Sequence, residues 1–333
     1  MKKILFSVAI LAVAASCAKT EVVDIPQTNA ISFSTLNDRI TKAANDDNAD
    51  YKVYATQSDI TGAWFMDDYV SCGSAETAYS PETKTYYWPT DGSTLDFYAY
   101  APKSSGTITP TVTPATAISI AYVVGEDADE DFTLAEPVKT QKAGTNEGVV
   151  NFEFAHMLSK VTVQVTLEEE FAEVYEISTS DDEAADAPFT ATFAPQYDSF
   201  TVDVMAGAVD ANVEASLSAV GTEYSLATSY MIAPQAFEDC TIQINGITIR
   251  HIGNGSTFFP SGVGVDLSTI RLTGDELSGG DAKFAAGTHY VFTVEISGSS
   301  TEEGEDPAVE ITMTATTADW DENDDYNSTL TQD

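Results

Sequence analysis

The sequence predicts an all-β protein, and three observations carry that expectation. Apolar and polar residues alternate in short runs, the runs are separated by Gly, Pro, Asp, Asn and Ser, and sustained helical periodicity is nearly absent. Many short strands with frequent turns imply sandwiches or barrels. The 333 residues suffice for about two domains, each able to bury its own core.

The chain opens "MKKILFSVAILAVAASCAKT", in which two lysines precede an apolar run from Ile4 to Val13. A membrane-spanning helix needs about 20 apolar residues and this run offers roughly half that, so residues 1–16 read as a secretory signal peptide. Ala14, Ala15 and Ser16 before Cys17 resemble the lipobox of bacterial lipoproteins, with Ala14 where leucine is usual. That resemblance implies cleavage before Cys17 and its lipidation. The competing reading is ordinary signal cleavage with Cys17 incidental.

Next, "AISFST" places Ile31 and Phe33 on one face of a short strand. In "YYWPTDGSTLDFYAYAP", residues 86–102, "PTDG" reads as a turn with Gly92 able to take positive φ. Beyond it Leu95, Phe97, Ala99 and Ala101 share one strand face, and Asp96, Tyr98 and Tyr100 the other. Tyr87, Trp88, Tyr98 and Tyr100 read first as fold determinants. "TITPTVTPATA" (107–117) is excluded as a central strand because its prolines donate no ladder hydrogen bonds. In "VVNFEFAHMLSKVTVQVTL" the apolar positions are even at Val150, Phe152, Phe154 and Leu158, then odd at Val161, Val163, Val165 and Leu167. A bulge or a single helical turn near "HMLSK" is expected to absorb that slip.

The acid-rich "EEEFAEVYEISTSDDEAADAP" (168–188) is read as the boundary between a first unit, residues 40–172, and a second, residues 173–333. In the second, strands are expected at "SFTVDV", "SYMIAP", "HYVFTVEI" and "AVEITMTA". "TIQINGITIR" sets Asn245 and Gly246 between two alternating runs. It predicts a two-residue hairpin in which Ile244 faces Ile247 and Ile242 faces Ile249.

Acids dominate the charge: 53 Asp and Glu oppose 14 Lys and Arg, for a formal net charge of -39. Such charge excludes nucleic acid as a natural partner and a direct electrostatic grip on an anionic membrane. Cys72 and Cys240 fall in different units and read as two unpaired small apolar residues rather than a bridge. His156, His251 and His289 are scattered without zinc-binding spacing. No cofactor is implied, and the sequence holds no nucleophile-elbow, metalloprotease or phosphate-loop motif, so the chain does not read as an enzyme. The run "DADEDF" from Asp127 invites a calcium reading, but Phe132 and Val138 stand where such a loop needs glycine and a bidentate glutamate. "DWDENDDYN" (319–327) fails similarly.

Four segments together resemble the fimbrillin family of Bacteroidales surface pilins: "YYWPTDGSTLDFYAYAP", "FEFAHMLSKVTVQV" (152–165), "SYMIAPQ" (229–235) and "FAAGTHYVFTVEI" (284–296). The first two fall in the N-terminal domain of such proteins and the last two in the C-terminal domain. The resemblance implies two tandem β-sandwich (transthyretin-like) domains after a lipoprotein signal peptide, with delivery to the outer membrane surface on a lipidated Cys17. It further implies that a trypsin-like, arginine-specific protease removes the pro-segment 17–39 by cutting between Arg39 and Ile40 in "STLNDRITKA". The strand carrying Ile31 and Phe33 leaves with it, and a strand from another subunit fills the open groove. The C-terminal region from "AVEITMTA" onward is the candidate donor. Lys42 and Lys52 lie close enough to serve a less selective protease.

The implied partners are other pilin subunits in a homo- or hetero-polymer, the outer membrane through the lipid, and a host or bacterial surface ligand. The alternative is a surface lipoprotein of the same fold that never polymerises and binds a glycan or host protein, with exposed Tyr98 and Tyr100 as its platform.

Overall fold

The computed structural model describes residues 29–35, 50–72, 79–103, 107–124, 131–178, 190–194, 197–208, 218–219, 224–226, 229–236, 241–245, 248–258, 267–271, 283–298 and 309–318. Their regular secondary structure is almost entirely strand, as the alternation predicts. The largest sheet runs in the order Val149–Phe152, Ser32–Thr35, Tyr79–Pro81, Met66–Cys72, Tyr51–Gln57, Leu95–Ala101, Thr133–Ala135, Phe154–His156; Val138–Gln141 also pairs with Leu95–Ala101. Its first and last strands belong to one run of chain, so the sheet wraps around its own apolar face. That face buries Ile31, Phe33, Tyr51, Val53, Leu95, Phe97, Val150 and Phe152 in one cluster. The predicted turn forms at its edge: Gly92 takes φ 86°, and the Asp91 carboxylate accepts from the Ser93 backbone N–H (3.0 Å) and hydroxyl (2.5 Å).

The other face of the same sheet is covered too. The strands Ile108–Thr113, Ala117–Val123, Tyr197–Asp203 and Ser218–Ala219 form a second sheet, and its Tyr122 stacks on Phe132 at 5.1 Å and meets Phe200 at 5.3 Å. Tyr54, Tyr98 and Tyr100 join this second cluster. Tyr98 and Tyr100 are therefore only 5% and 2% exposed, which removes the aromatic platform on which the glycan-binding alternative relied. Ile108–Thr113, with Pro110, lies at the sheet edge as a proline requires, and among the described strands it pairs only with Ala117–Val123.

Burial has a consequence at high pH. Loss of water pushes the Tyr100 phenol up to about 12, with a hydrogen bond from Tyr54 pulling the other way; burial first, then Tyr100 and Asp67, push Tyr54 up further. A phenol with a folded pKa above its unfolded value of 10.0 stabilises the fold fully below pH 10 and loses that contribution as pH rises through about 12. Alkaline titration followed by tyrosinate absorbance is expected to show a late-ionising class, with the melting temperature falling across the same window. Ionisation of every tyrosine near pH 10 in the still-folded chain would contradict this packing.

The apolar slip in residues 150–167 is resolved by a change of sheet rather than by a bulge or helical turn. Met157 N–H donates to the Phe132 carbonyl (2.8 Å) in the first sheet, while the Leu158 carbonyl accepts from Gly287 N–H (2.8 Å) beyond it. Ser159–Leu167 then joins a four-stranded sheet with Ser229–Ile232, His289–Gly298 and Val309–Ala318. It runs parallel to His289–Gly298, in register from Lys160 with His289 to Leu167 with Ile296. The segment "FEFAHMLSKVTVQV" thus spans two sheets, and strands on both sides of residue 172 share sheets here and at Ala117–Val123 with Tyr197–Asp203.

Two later motifs explain themselves by hydrogen bonding. The Gln235 side chain, 1% exposed, accepts from Tyr197 N–H (2.9 Å) and donates to the Tyr197 carbonyl (2.8 Å), serving as a substitute strand partner. The Tyr290 hydroxyl accepts from Ala285 N–H (2.9 Å) and donates to the Lys283 carbonyl (3.0 Å), closing the "FAAGTHY" loop.

Gly246 and Ile247 of the predicted hairpin lie outside the described residues, and the two strands that flank them pair with other strands rather than with each other. Thr241–Asn245 pairs with Thr190–Ala194 and Leu267–Arg271, whereas Thr248–His251 pairs with Tyr175–Ser178 and Thr257–Phe258. Asn-Gly permits a tight turn without requiring one, and burial of Ile249 opposite Ile177 selects the other partner. Within the acid-rich segment, Glu169–Ala172 makes a short helix capped by Glu168, whose carboxylate accepts from Phe171 N–H (3.2 Å), and buried Phe171 stacks on Tyr175 at 4.4 Å.

Candidate assembly groove around the first strand

Ser32–Thr35 is a four-residue strand held by few but well-defined contacts. It pairs in parallel with Val149–Phe152, Phe33 opposite Val150 and Ser34 opposite Asn151, and meets Tyr79–Pro81 through the single pair Phe33 and Tyr79. Just before it, Ile31 N–H donates to the Tyr86 carbonyl (2.9 Å), Trp88 N–H to the Asn29 carbonyl (2.8 Å), and the Asn29 amide to the Trp88 carbonyl (2.9 Å). The start of the aromatic stretch 86–102 is therefore the docking edge for the N-terminal segment.

Side chains complete the fit. Ile31 is 3% and Phe33 1% exposed. The Phe33 ring meets Phe97 edge-on at 5.9 Å and lies parallel to Phe152 at 6.0 Å, while Trp88 meets Phe97 edge-on at 5.8 Å. Trp88 Nε1 donates to the Gly148 carbonyl (3.3 Å). Gly148 has φ 88°, and a Cβ there would stand 3.3 Å from Trp88 Nε1, so glycine serves both the backbone turn and the close approach. On the opposite face of the strand the Ser34 hydroxyl donates to Asn151 Oδ1 at 2.5 Å. Removing this strand leaves two unpaired backbone rows and two apolar slots, each slot worth about 1.5–3 kcal/mol to whatever refills it.

Cys17, Arg39, Ile40, Lys42 and Cys240 lie outside the described residues, and so does the acidic run 125–130. Cys72 ends the strand Met66–Cys72. Lys52 corrects an expectation: it is 7% exposed in a central strand, its Nζ 2.6 Å from the Asp67 carboxylate and 4.1 Å from the Tyr69 ring centre, so it offers a protease nothing to grip. Tyr87 is 58% exposed and Trp88 only 3%, so the adjacent aromatics face opposite ways. Asp131 contacts His156 Nδ1 at 2.6 Å, and among the described residues no group of three or more metal-ligating side chains exists. No described helix is long and apolar enough to cross a membrane. Asn29 and Asn151 carried no local sign of their part in the groove, because their partners Trp88 and Ser34 lie 59 and 117 residues away. Gly148 was equally silent, its partner Trp88 being 60 residues distant.

A family model described as fimbrillin-like matches residues 38–320. The fold is similar to that of a fimbrial protein from Bacteroides vulgatus, with a TM-score of 0.56 and 18% identity, covering 85% of this chain and 98% of that one. It is also similar to a candidate cell adhesion protein from Bacteroides uniformis, with a TM-score of 0.54 and 19% identity, covering 88% of this chain and 98% of that one. No curated protein matches the sequence. At such identities the structural likeness speaks for the fold, and the family match for kinship.

Proposed function

The chain belongs to the fimbrillin-like family, a class of structural rather than catalytic proteins, and from that membership we propose that it is a subunit of cell-surface fimbriae assembled by strand exchange. In this reading the precursor is exported, lipidated at Cys17, and delivered to the outer membrane surface. A protease then cuts between Arg39 and Ile40, and the released segment takes Ile31 and Phe33 out of the groove. A strand from the C-terminal region of another subunit refills it. The acidic charge serves solubility rather than nucleic-acid binding.

The observation that carries this reading is the position of Phe33. A residue 1% exposed at the heart of an aromatic cluster sits on a four-residue strand, Ser32–Thr35, that ends shortly before Arg39 in the sequence. Because the strand is short and pairs with Tyr79–Pro81 at a single position, few ladder contacts need be broken for it to leave. The strand Val309–Ala318 suits a donor because it pairs only with His289–Gly298 among the described strands, so a single ladder holds it.

The test is direct. Purified precursor treated with an arginine-specific protease is expected to lose its N-terminal segment after Arg39 and to form ladders that resist SDS at room temperature and collapse on boiling. A chain cut there that stays monomeric counts against assembly. Surface delivery unchanged in Cys17→Ala counts against the lipid step.

A further inference from the structure

The apolar alternation of Ile31 and Phe33 decides which face of a strand enters the groove, but it leaves the register open. A slip of one residue turns the apolar side chains outward and is forbidden, whereas a slip of two keeps an apolar residue in a slot. Something polar must break that degeneracy. Among the described residues the structure provides one hydrogen bond between side chains across this ladder, from Ser34 Oγ to Asn151 Oδ1 at 2.5 Å, on the face away from the core. Both residues are half-buried, and they are directly opposed in the parallel ladder.

We propose that Asn151 fixes the register of any strand occupying this groove, by pairing with a hydroxyl one residue after the large apolar side chain. The inference rests on the assembly reading above and specifies its partner chemistry: an extended segment of the pattern apolar, small polar, large apolar, hydroxyl. An emptied groove leaves the Asn151 side chain half-buried and without the Ser34 hydroxyl, and a wrongly registered strand sets a residue of the wrong chemistry against it. Within the chain "ISFS" at 31–34 has the pattern, and "ITMT" at 311–314 repeats it in the edge strand Val309–Ala318, with Thr314 in the place of Ser34.

To test this independently of cleavage at Arg39, a specific protease site is inserted after Leu36 in the full chain. The chain is cut, and displacement of the severed segment by a labelled peptide of residues 28–36 is followed by fluorescence anisotropy. Ser34→Ala in the peptide is expected to weaken displacement about fivefold, the equivalent of one ordinary hydrogen bond. Asn151→Ala in the chain is expected to erase that difference, as a double-mutant cycle requires of a pair in contact. A peptide of residues 309–316 is expected to displace as well, with the same dependence on Thr314. Equal displacement by the unsubstituted and Ser34→Ala peptides in the unaltered chain, or indifference to Thr314, overturns the role of Asn151 and leaves the groove standing. Failure of even the unsubstituted peptide to displace the segment overturns both this inference and the assembly reading beneath it.

Discussion

Phe33→Ala is expected to destabilise the uncut chain by about 3–5 kcal/mol, the usual cost of truncating a fully buried phenylalanine. The high end applies because the ring cannot be replaced by local collapse. Its neighbours Phe97 and Phe152 are themselves fixed by Trp88, Tyr51 and Phe154, with Tyr51 5.9 Å from Phe152 and 5.4 Å from Phe154. Urea unfolding would register the loss as a lower midpoint with an unchanged slope if the whole sheet depends on the strand. If only the strand detaches, hydrogen exchange would speed at Ile31 and Phe33 and along Val149–Phe152 while the remaining core stays protected. Either outcome places Phe33 as the plug; a loss below about 1 kcal/mol with unchanged exchange contradicts it. In a cut chain the same substitution is expected to hasten departure of the severed segment.

Tyr122→Ala is expected to cost a similar amount, about 3–5 kcal/mol, but at a different place. Tyr122 is 0% exposed; it stacks on Phe132, next to Thr133–Ala135 of the first sheet, and packs against Phe200 of its own sheet, so it joins the second sheet to the outer face of the first through Phe132. Its loss would loosen the covering layer over Tyr54, Tyr98 and Tyr100 and bring their late ionisation back toward pH 10. Retention of the severed N-terminal segment is expected to change little, since Ile31 and Phe33 belong to the other cluster. The contrast between the two variants separates the two cores. A Tyr122→Ala chain that melts normally and keeps its late-ionising tyrosines would show that the layers are not packed as described.

How much of this was readable beforehand depends on the range of the interactions. Ile31 and Phe33 announced a buried face by their spacing, and both are buried. Phe200, Val202 and Val204 did so in "SFTVDV", as did Tyr290, Phe292, Val294 and Ile296 in "HYVFTVEI". The groove that receives Ile31 and Phe33 was not readable, since it is assembled from Tyr79, Trp88, Phe97 and Phe152, which are distant in the chain and chosen by packing. Asn151 looked like any solvent-facing residue of an alternating strand until Ser34 was placed opposite it.

What the amino-acid order determined by itself is therefore whatever depends on a residue and its near neighbours. That includes the strand period, the turn at Gly92, the edge position imposed by Pro110, and the division of each strand into two faces, because backbone geometry and φ restrictions act over a few bonds. Only the tertiary structure decided which strands pair. Residues 150–167 cross from one sheet to another at Met157–Leu158, the runs around Asn245–Gly246 part to different sheets, and Tyr98 and Tyr100 are covered by a second layer. Each of these outcomes is set by apolar area brought together from far apart in the chain, and no local rule records where that area will be found.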